Sequence, residues 1–317
     1  MIRQTFTAQE SEFLSETASQ MGWDILYDQK ERGRFTALAD YAGTGEMQFF
    51  HETYNRAMCI HGAVPAGMAT FALPGRRAGG SERFCGTAIT PGTLSAFTPG
   101  DQGVLCTPAD YSYINFCVTA ERIDRAMRTL CQRTLADVMP RTMALSVPIE
   151  SMMRLQAAAQ IAFVPPDSVD LTPNISVADQ AAEGNVLSAL CAALTAGDQP
   201  QRGPLAARNH WRCVRIVRDY AAMHLGEALN IETLCNVSRV SERTLRAAFH
   251  EVTGQSPQQF IKTRRLTAAR HLLATVRRTE TSVKSVALDL GFWHLGYFAR
   301  DYKVHFGESP SQTLAKR

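Results

Sequence analysis

The sequence predicts an α+β fold class: a β-rich N-terminal barrel with appended helices, then an all-α domain carrying two helix-turn-helix units. Three observations predict it. Between Glu46 and Thr119, short β-prone runs alternate with Pro and Gly turns. From Ala120 the pattern turns helical. In the last third, one stretch repeats itself at an offset of 53 residues.

Residues 1–45 are mixed, with a helix expected near Ser11–Met21 and an aromatic turn region at Trp23 and Tyr27. Strands are expected at Met47–Tyr54, Ala57–Val64, Met68–Leu73, Thr87–Thr90, Thr93–Thr98, Gly103–Thr107 and Tyr111–Val118. Pro65-Ala-Gly67, Pro74-Gly75, Gly79-Gly80, Pro91-Gly92, Pro99-Gly100 and Pro108 separate them. Short strands at such spacing suggest a sandwich or a barrel, and a barrel can hold a small ligand in its mouth. Helices then follow at Glu121–Gln132, Ile149–Phe163 and Val177–Leu194, broken by Pro165-Pro166 and Pro173. They read either as a lid on the barrel or as a dimer interface.

Gly197 to Pro204 is polar and rich in Gly and Pro, as a linker would be. The charge balance switches at the same place. Residues 206–317 hold 18 Lys+Arg and 9 Asp+Glu, a balance of +9. Residues 1–205 hold 15 basic and 21 acidic residues, a balance of −6. The expected organisation is a β-rich sensing domain at 1–119, a helical segment at 120–196, a linker at 197–208 and a DNA-binding domain at 209–317. A basic domain points to a polyanionic partner.

The repeat aligns Phe249-His-Glu-Val-Thr-Gly254-Gln-Ser256-Pro257 with Tyr302-Lys-Val-His-Phe-Gly307-Glu-Ser309-Pro310. Each copy reads as a short helix, a tight turn, a longer helix, a Gly cap and a Ser-Pro restart. In a helix-turn-helix the second helix enters the major groove and reads bases from its exposed face. That face is assigned to Arg239, Ser241, Arg243, Thr244, Arg246 and Ala247 in copy one. In copy two it is assigned to His294, Leu295, Gly296, Tyr297, Arg300 and Lys303. Copy one is expected to supply base hydrogen bonds, and copy two apolar and phosphate contacts. A helix of about 27 Å at Pro257–Ala274 joins the copies, and its Lys262, Arg264, Arg265 and Arg270 are candidate phosphate contacts.

These residues resemble the AraC/XylS family of transcription regulators over 211–317. The stretch Gly291-Phe-Trp-His-Leu-Gly-Tyr-Phe-Ala-Arg-Asp-Tyr302 through Pro310 carries that resemblance. Leu234-Cys-Asn, Ser241 to His250 and, more sparsely, Tyr27-Asp-Gln29 and Thr107 to Tyr111 are similar to the subgroup that activates ethanolamine-utilisation operons. The resemblance implies a cytoplasmic activator of a small-metabolite catabolic operon that recruits RNA polymerase; a homodimer is expected from the helical segment. The implied effector is ethanolamine with adenosylcobalamin (a cobalamin), or another small amine, and the sensing barrel is expected to be cupin-like.

Other function classes are weighed on the residues. No apolar run reaches the roughly 18 residues of a membrane span, and the N-terminus has no apolar h-region. The first 205 residues contain only His51 and His61, too few for a cupin metal site. No nucleophile elbow or phosphate loop is present, so no catalytic residue, metal or enzyme activity is expected. The eight cysteines show no Cys-x-x-Cys and read as reduced core residues. Control by a protein partner or by redox is the alternative to ligand sensing. For an amine, the physics asks for a carboxylate and an aromatic wall. Trp23, Phe71, Phe97, Tyr111 and Glu46 are the candidates, with Glu52, Asp101 and Asp110 as further carboxylates. Arg76, Arg77 and Arg83 could instead hold an anion.

Overall fold

A computed structural model describes residues 1–75, 81–164, 177–197, 205–275 and 281–315. The chain begins β1 (Ile2–Ala8), α1 (Ser11–Gln20), β2 (Asp24–Gln29), β3 (Ala37–Gly43), β4 (Met47–Tyr54), β5 (Met58–Ala63) and β6 (Met68–Leu73). It continues through β7 (Arg83–Phe84), β8 (Thr87–Ala88), β9 (Thr93–Phe97), β10 (Gln102–Thr107) and β11 (Tyr111–Thr119). Then come α2 (Ala120–Cys131), α3 (Leu135–Val138), β12 (Met143–Ser146), α4 (Ile149–Ile161) and α5 (Val177–Ala196). The last third is helical: α6 (Leu205–Met223), α7 (Ile231–Ser238), α8 (Glu242–Thr253), α9 (Pro257–Thr275), α10 (Val283–Asp289), α11 (Leu295–Phe306) and α12 (Pro310–Ala315).

The strands form two open sheets. One runs β1-β3-β4-β11-β6-β9-β12, the other β2-β5-β10-β7-β8. Among the described residues neither sheet closes on itself, so the closed barrel gives way to a sandwich of two sheets. Aromatic and aliphatic residues from the facing strands, among them Tyr27, Tyr54, Ile60, Phe84 and Tyr113, fill the space between the sheets. The other face of the large sheet, with Phe49, Phe71, Leu94 and Phe116, is covered by Ile123 and Met127 of α2, Met152 and Leu155 of α4, and Val186 and Leu190 of α5. Thr119 caps α2 by accepting from the Arg122 amide, and the helix buries Ile123 and Met127 one turn apart.

The helical expectation for 120–196 is corrected at Met143–Ser146, which pair with β9 at the sheet edge. Four residues are too few to show a period. β1, β2 and β3 had no strand assignment in the sequence pattern. β1 is an edge strand with only Ala8 buried, so it has little apolar alternation to see. The reduced-cysteine expectation is also corrected. Cys59 and Cys106 face each other across β5 and β10, 47 residues apart in sequence, with Cα atoms 4.4 Å apart, and form a disulfide. Cross-strand register brings them together, which sequence spacing does not reveal. Most of the expected linker, 198–204, and the Arg76-Arg77 pair lie outside the described residues. No helix of the described residues is long and apolar enough to cross a membrane.

Candidate nucleic-acid interface and effector cavity

The two copies of the repeat fold alike. α8 and α11 are both twelve residues long. In the first unit Asn230 caps α7, its side chain accepting from the Thr233 amide at 2.8 Å. Arg239 ends that helix in the left-handed region at φ 54°. Ser241 then caps α8 by accepting from the Thr244 amide. Leu245, Ala248, Phe249 and Val252 point inward and are fully buried beside Leu234 and Val214. With the apolar stripe committed inward, Arg239, Ser241, Arg243, Thr244, Arg246 and Ala247 are all exposed. Arg246 is tied at 2.7 Å to Glu242 on its own helix, a surface pair that costs little to exchange for a phosphate.

In the second unit Ser282 caps α10 and Gly291 makes the turn at φ 75°. Phe298, Tyr302 and Phe306 are buried, leaving His294, Leu295, Gly296, Tyr297, Arg300 and Lys303 exposed. No side chain caps α11, whose N-cap position is His294. The Arg300 guanidinium lies over the Tyr297 ring, 5.2 Å from its centroid. Trp293, read from the sequence only as part of a turn, is 70% exposed beside this face. Trp293 thus extends an exposed apolar surface with Leu295 and Tyr297, and its place in the sequence beside them was the available signal. Gly296 has nothing within 4 Å of where a Cβ would sit, so its gap is open to solvent.

The linking helix behaves differently from its sequence reading. Its basic residues are engaged by the protein itself. Lys262 pairs with Asp301 at 2.6 Å, and Arg265 donates to the Glu227 carbonyl. Arg264 grips both oxygens of Asp28 on β2, at 2.9 and 3.1 Å. Arg270 is buried among Glu10, Glu12 and Glu308, and stacks on Phe306. The phosphate role expected of this helix is therefore corrected for Arg264 and Arg270, whose charges are used to join the two halves of the chain.

That junction is extensive. Cys59, Val104 and Cys106 of the small sheet pack into the core of the first unit. Arg218 of α6 donates to Gln102 Oε1 at 2.7 Å. Gln29 and the Gly33 amide both donate to the His305 carbonyl of α11. The sandwich thus touches both units. Burial would raise the Asp28 carboxyl, but Arg264 and His61 outweigh it and hold it down at about 2. Burial pushes the His61 imidazole below its ordinary value against the pull of Asp28. Neither ring nitrogen of His61 makes a hydrogen bond, although Nε2 is 3.4 Å from Asp28.

Between the sheets lie two small cavities, of about 30 and about 60 Å³, that share Trp23, Ile25 and Asn115. Trp23 lines both, Glu52 only the smaller and Phe97 only the larger. Glu52 is buried and accepts from the hydroxyls of Tyr27 at 2.8 Å, Tyr54 and Tyr113. Burial raises its carboxyl, and the three phenols pull the other way. The remaining effector candidates lie elsewhere. Phe71 is on the opposite face of the large sheet, stacked on Phe116 under the helical layer. Glu46 is on the surface, paired with Arg122 at 3.1 Å. Tyr111 is buried at the end of β11 and lines an outer groove with Pro74 and Pro108. A strand's side chains alternate between faces, and the sequence alone did not say which face looked into the sandwich. Asn115 had no sequence signal at all. Among the described residues no group of three or more His, Cys, Asp or Glu could hold a metal ion.

Comparison with known proteins adds to this geometry. A family model described as a helix-turn-helix domain matches residues 234–316. The XylDLEGF operon transcriptional activator 3 of Pseudomonas putida is 35% identical over 106 residues, 33% of this chain and 31% of that protein. The HTH-type transcriptional activator RhaS of Enterobacter sp. (strain 638) is 35% identical over 94 residues, 30% of this chain and 33% of that protein. The chain thus spans about a third of the length of these relatives. The solved structure of a probable AraC family transcriptional regulator from Rhodopseudomonas palustris CGA009 is 40% identical, covering 33% of this chain and 95% of that one, with a TM-score of 0.31.

Proposed function

We infer that the chain is a sequence-specific DNA-binding transcriptional activator of the AraC/XylS kind, a reading supported by a helix-turn-helix match over residues 234–316 and by C-terminal similarity to the XylDLEGF and RhaS activators. The observation that carries the reading is the pair of solvent-facing helix surfaces, on α8 and α11, repeated 53 residues apart in one basic domain. Arg239, Ser241, Arg243, Thr244, Arg246 and Ala247 would read one half-site. Trp293, Leu295 and Tyr297 would contact thymine methyls in the next, with Arg300 and Lys303 on phosphates and His294 beside Gly296 at the groove floor. Site selection from random duplexes with the full chain tests this. Enrichment of two half-sites in direct repeat, about one helical turn apart, is expected. Recovery of unenriched sequence would sink the reading.

The sandwich is proposed to sense a small metabolite in the inter-sheet cavities, with Trp23 as the wall common to both, Phe97 as a further wall of the larger and Glu52, in the smaller, as the charge that would favour an amine. A cobalamin is far larger than either cavity. The narrower placement among ethanolamine-utilisation activators rests on short helix-turn-helix stretches and sparse N-terminal ones, and the similarity to the XylDLEGF and RhaS activators supports the wider family and not that subgroup. Recruitment of RNA polymerase, homodimerisation and control of a catabolic operon belong to the same proposal.

Redox control is a second reading, favoured by one observation. Cys59, Cys106 and Cys213 are buried in the core that joins the sandwich to the first unit, with Cys85 and Cys235 packed against it. DNA affinity measured with and without dithiothreitol decides between the two; an unchanged affinity removes redox control.

A further inference from the structure

A cleft of about 620 Å³ separates α1 and β2 of the sandwich from the linking helix α9. Both helices offer it one continuous stripe. Glu12, Ser15, Glu16 and Ser19 of α1 face Arg264, Thr267, Ala268 and His271 of α9, each set at helical spacing. Trp23, Asp24 and Ile25 line its floor. Its ionisable lining is Glu12, Glu16 and Asp24 against Arg264 and His271. Arg264 is already committed to Asp28, and His271 sits 3.7 Å from Glu16. The acidic side is in excess.

Two further observations point to a missing partner. Glu12 is more than nine-tenths buried, yet its Oε1 makes no hydrogen bond. Thr267 Oγ1, on the opposite wall, is buried and unpaired as well. Arg270 approaches only the other carboxylate oxygen of Glu12, at 3.6 Å. A buried acceptor without a donor is costly, and a ligand that brings N–H groups relieves it. Glu12 and Glu16 lie one helical turn apart, a spacing of about 6 Å. The described residues offer no metal-ligand cluster, so the chemistry favours an organic cation over a metal ion.

We propose that this cleft is a ligand site for a small linear organic dication, with one ammonium group at Glu12 and Thr267 and the other at Glu16 and Asp24. The occupant touches α1 on one side and α9 on the other, and α9 ties the two helix-turn-helix units together. Its binding would brace the sandwich against the linking helix. The site is separate from the inter-sheet cavities, which Glu16 and Asp24 do not line, and its existence does not depend on the DNA-reading assignment.

The test is calorimetric titration of the full chain with putrescine, a linear four-carbon diamine, alongside butanediol and succinate of the same length. Saturable binding of putrescine at one site per chain is expected, with none for the diol or the diacid. Glu16 and Asp24 are exposed, so Glu16→Gln/Asp24→Asn keeps the fold. It should weaken putrescine by about tenfold or more, as loss of charge-assisted hydrogen bonds does. Glu121→Gln, an exposed residue of α2 that does not line the cleft, should bind as the unaltered chain does. Absence of putrescine binding, equal binding by the double variant, or equally tight binding of the diol or diacid overturns the proposal.

Discussion

Replacing Asp28 with Asn removes the negative end of the buried bridge that joins the sandwich to the linking helix. The Asp28 side chain is 3% exposed and that of Arg264 is 11% exposed, so solvent screens the pair little. Arg264 and His61 hold the Asp28 carboxyl at about 2 instead of 3.8. That difference corresponds to about 2.5 kcal/mol of stability. Because the folded value is depressed, this stability is fully present above the unfolded value and is lost as pH falls through the folded one. Asp28→Asn also leaves a guanidinium buried without its partner, and breaking such a pair costs about 3–5 kcal/mol. We expect a loss of about 3 kcal/mol at pH 7, read as a shift in the urea midpoint followed by tryptophan fluorescence. Trp23 reports on the sandwich, and Trp211 and Trp293 on the helical domain. The gap between variant and parent should narrow as the pH approaches that of the folded carboxyl. Asp28→Asn/Arg264→Gln should lose less than the sum of the single changes. A loss under about 0.5 kcal/mol at pH 7, typical of a surface change, or strict additivity in the double variant, would refute the reasoning.

Four further outcomes are expected. Arg243→Ala should relax base preference in one half-site by about 1–3 kcal/mol, whereas Leu295→Ala should affect the other half-site more; selection experiments that show equal loss in both halves contradict the division of labour. Lys303→Ala should weaken all DNA sequences alike and reduce the slope of log affinity against log salt by about 0.9, and an unchanged slope removes Lys303 from the phosphate contacts. Burial lifts the Glu12 carboxyl from 4.5 to about 7, over the opposing pull of Arg270; the folded value is the higher one, so its contribution to stability is lost as pH rises through about 7. Glu12→Gln should therefore gain stability relative to the parent at pH 8 compared with pH 4, by up to about 3 kcal/mol, and chemical denaturation at the two pH values checks the sign. Thiol titration of the unreduced, denatured chain should find six free cysteines and not eight, given the Cys59–Cys106 bond.

Much of the last third was legible because its signals are local. Ser241 and Ser282 as caps, Gly254 and Gly307 as left-handed ends, and the stripe Leu245, Phe249, Val252 all act within one or two turns of their own helix. Gly254 sits at φ 70°, where a side chain would be strained, so a glycine at that place marks a helix end without any knowledge of the rest of the chain. Most strands from Met47 to Val118 were legible as β-prone runs between turn signals, the two-residue β7 excepted. β1 and β12 were not: one is an edge with a single buried residue and the other is four residues long.

By itself the sequence determined where the C-terminal helices and most of the strands from β4 to β11 form, that one third is basic, and that two similar helices recur 53 residues apart. Each of these follows from spacing or charge along the chain. Tertiary structure decided which charges remain available. Arg264 and Arg270 look like phosphate ligands on paper and are consumed by Asp28 and by Glu10, Glu12 and Glu308, which lie more than two hundred residues away or across the next unit. It likewise decided that Phe71 faces the helical layer while Phe97 faces the cavity, and that Cys59 meets Cys106. Sheet pairing and domain docking set those contacts, and their free energy depends on groups that no local window of sequence contains.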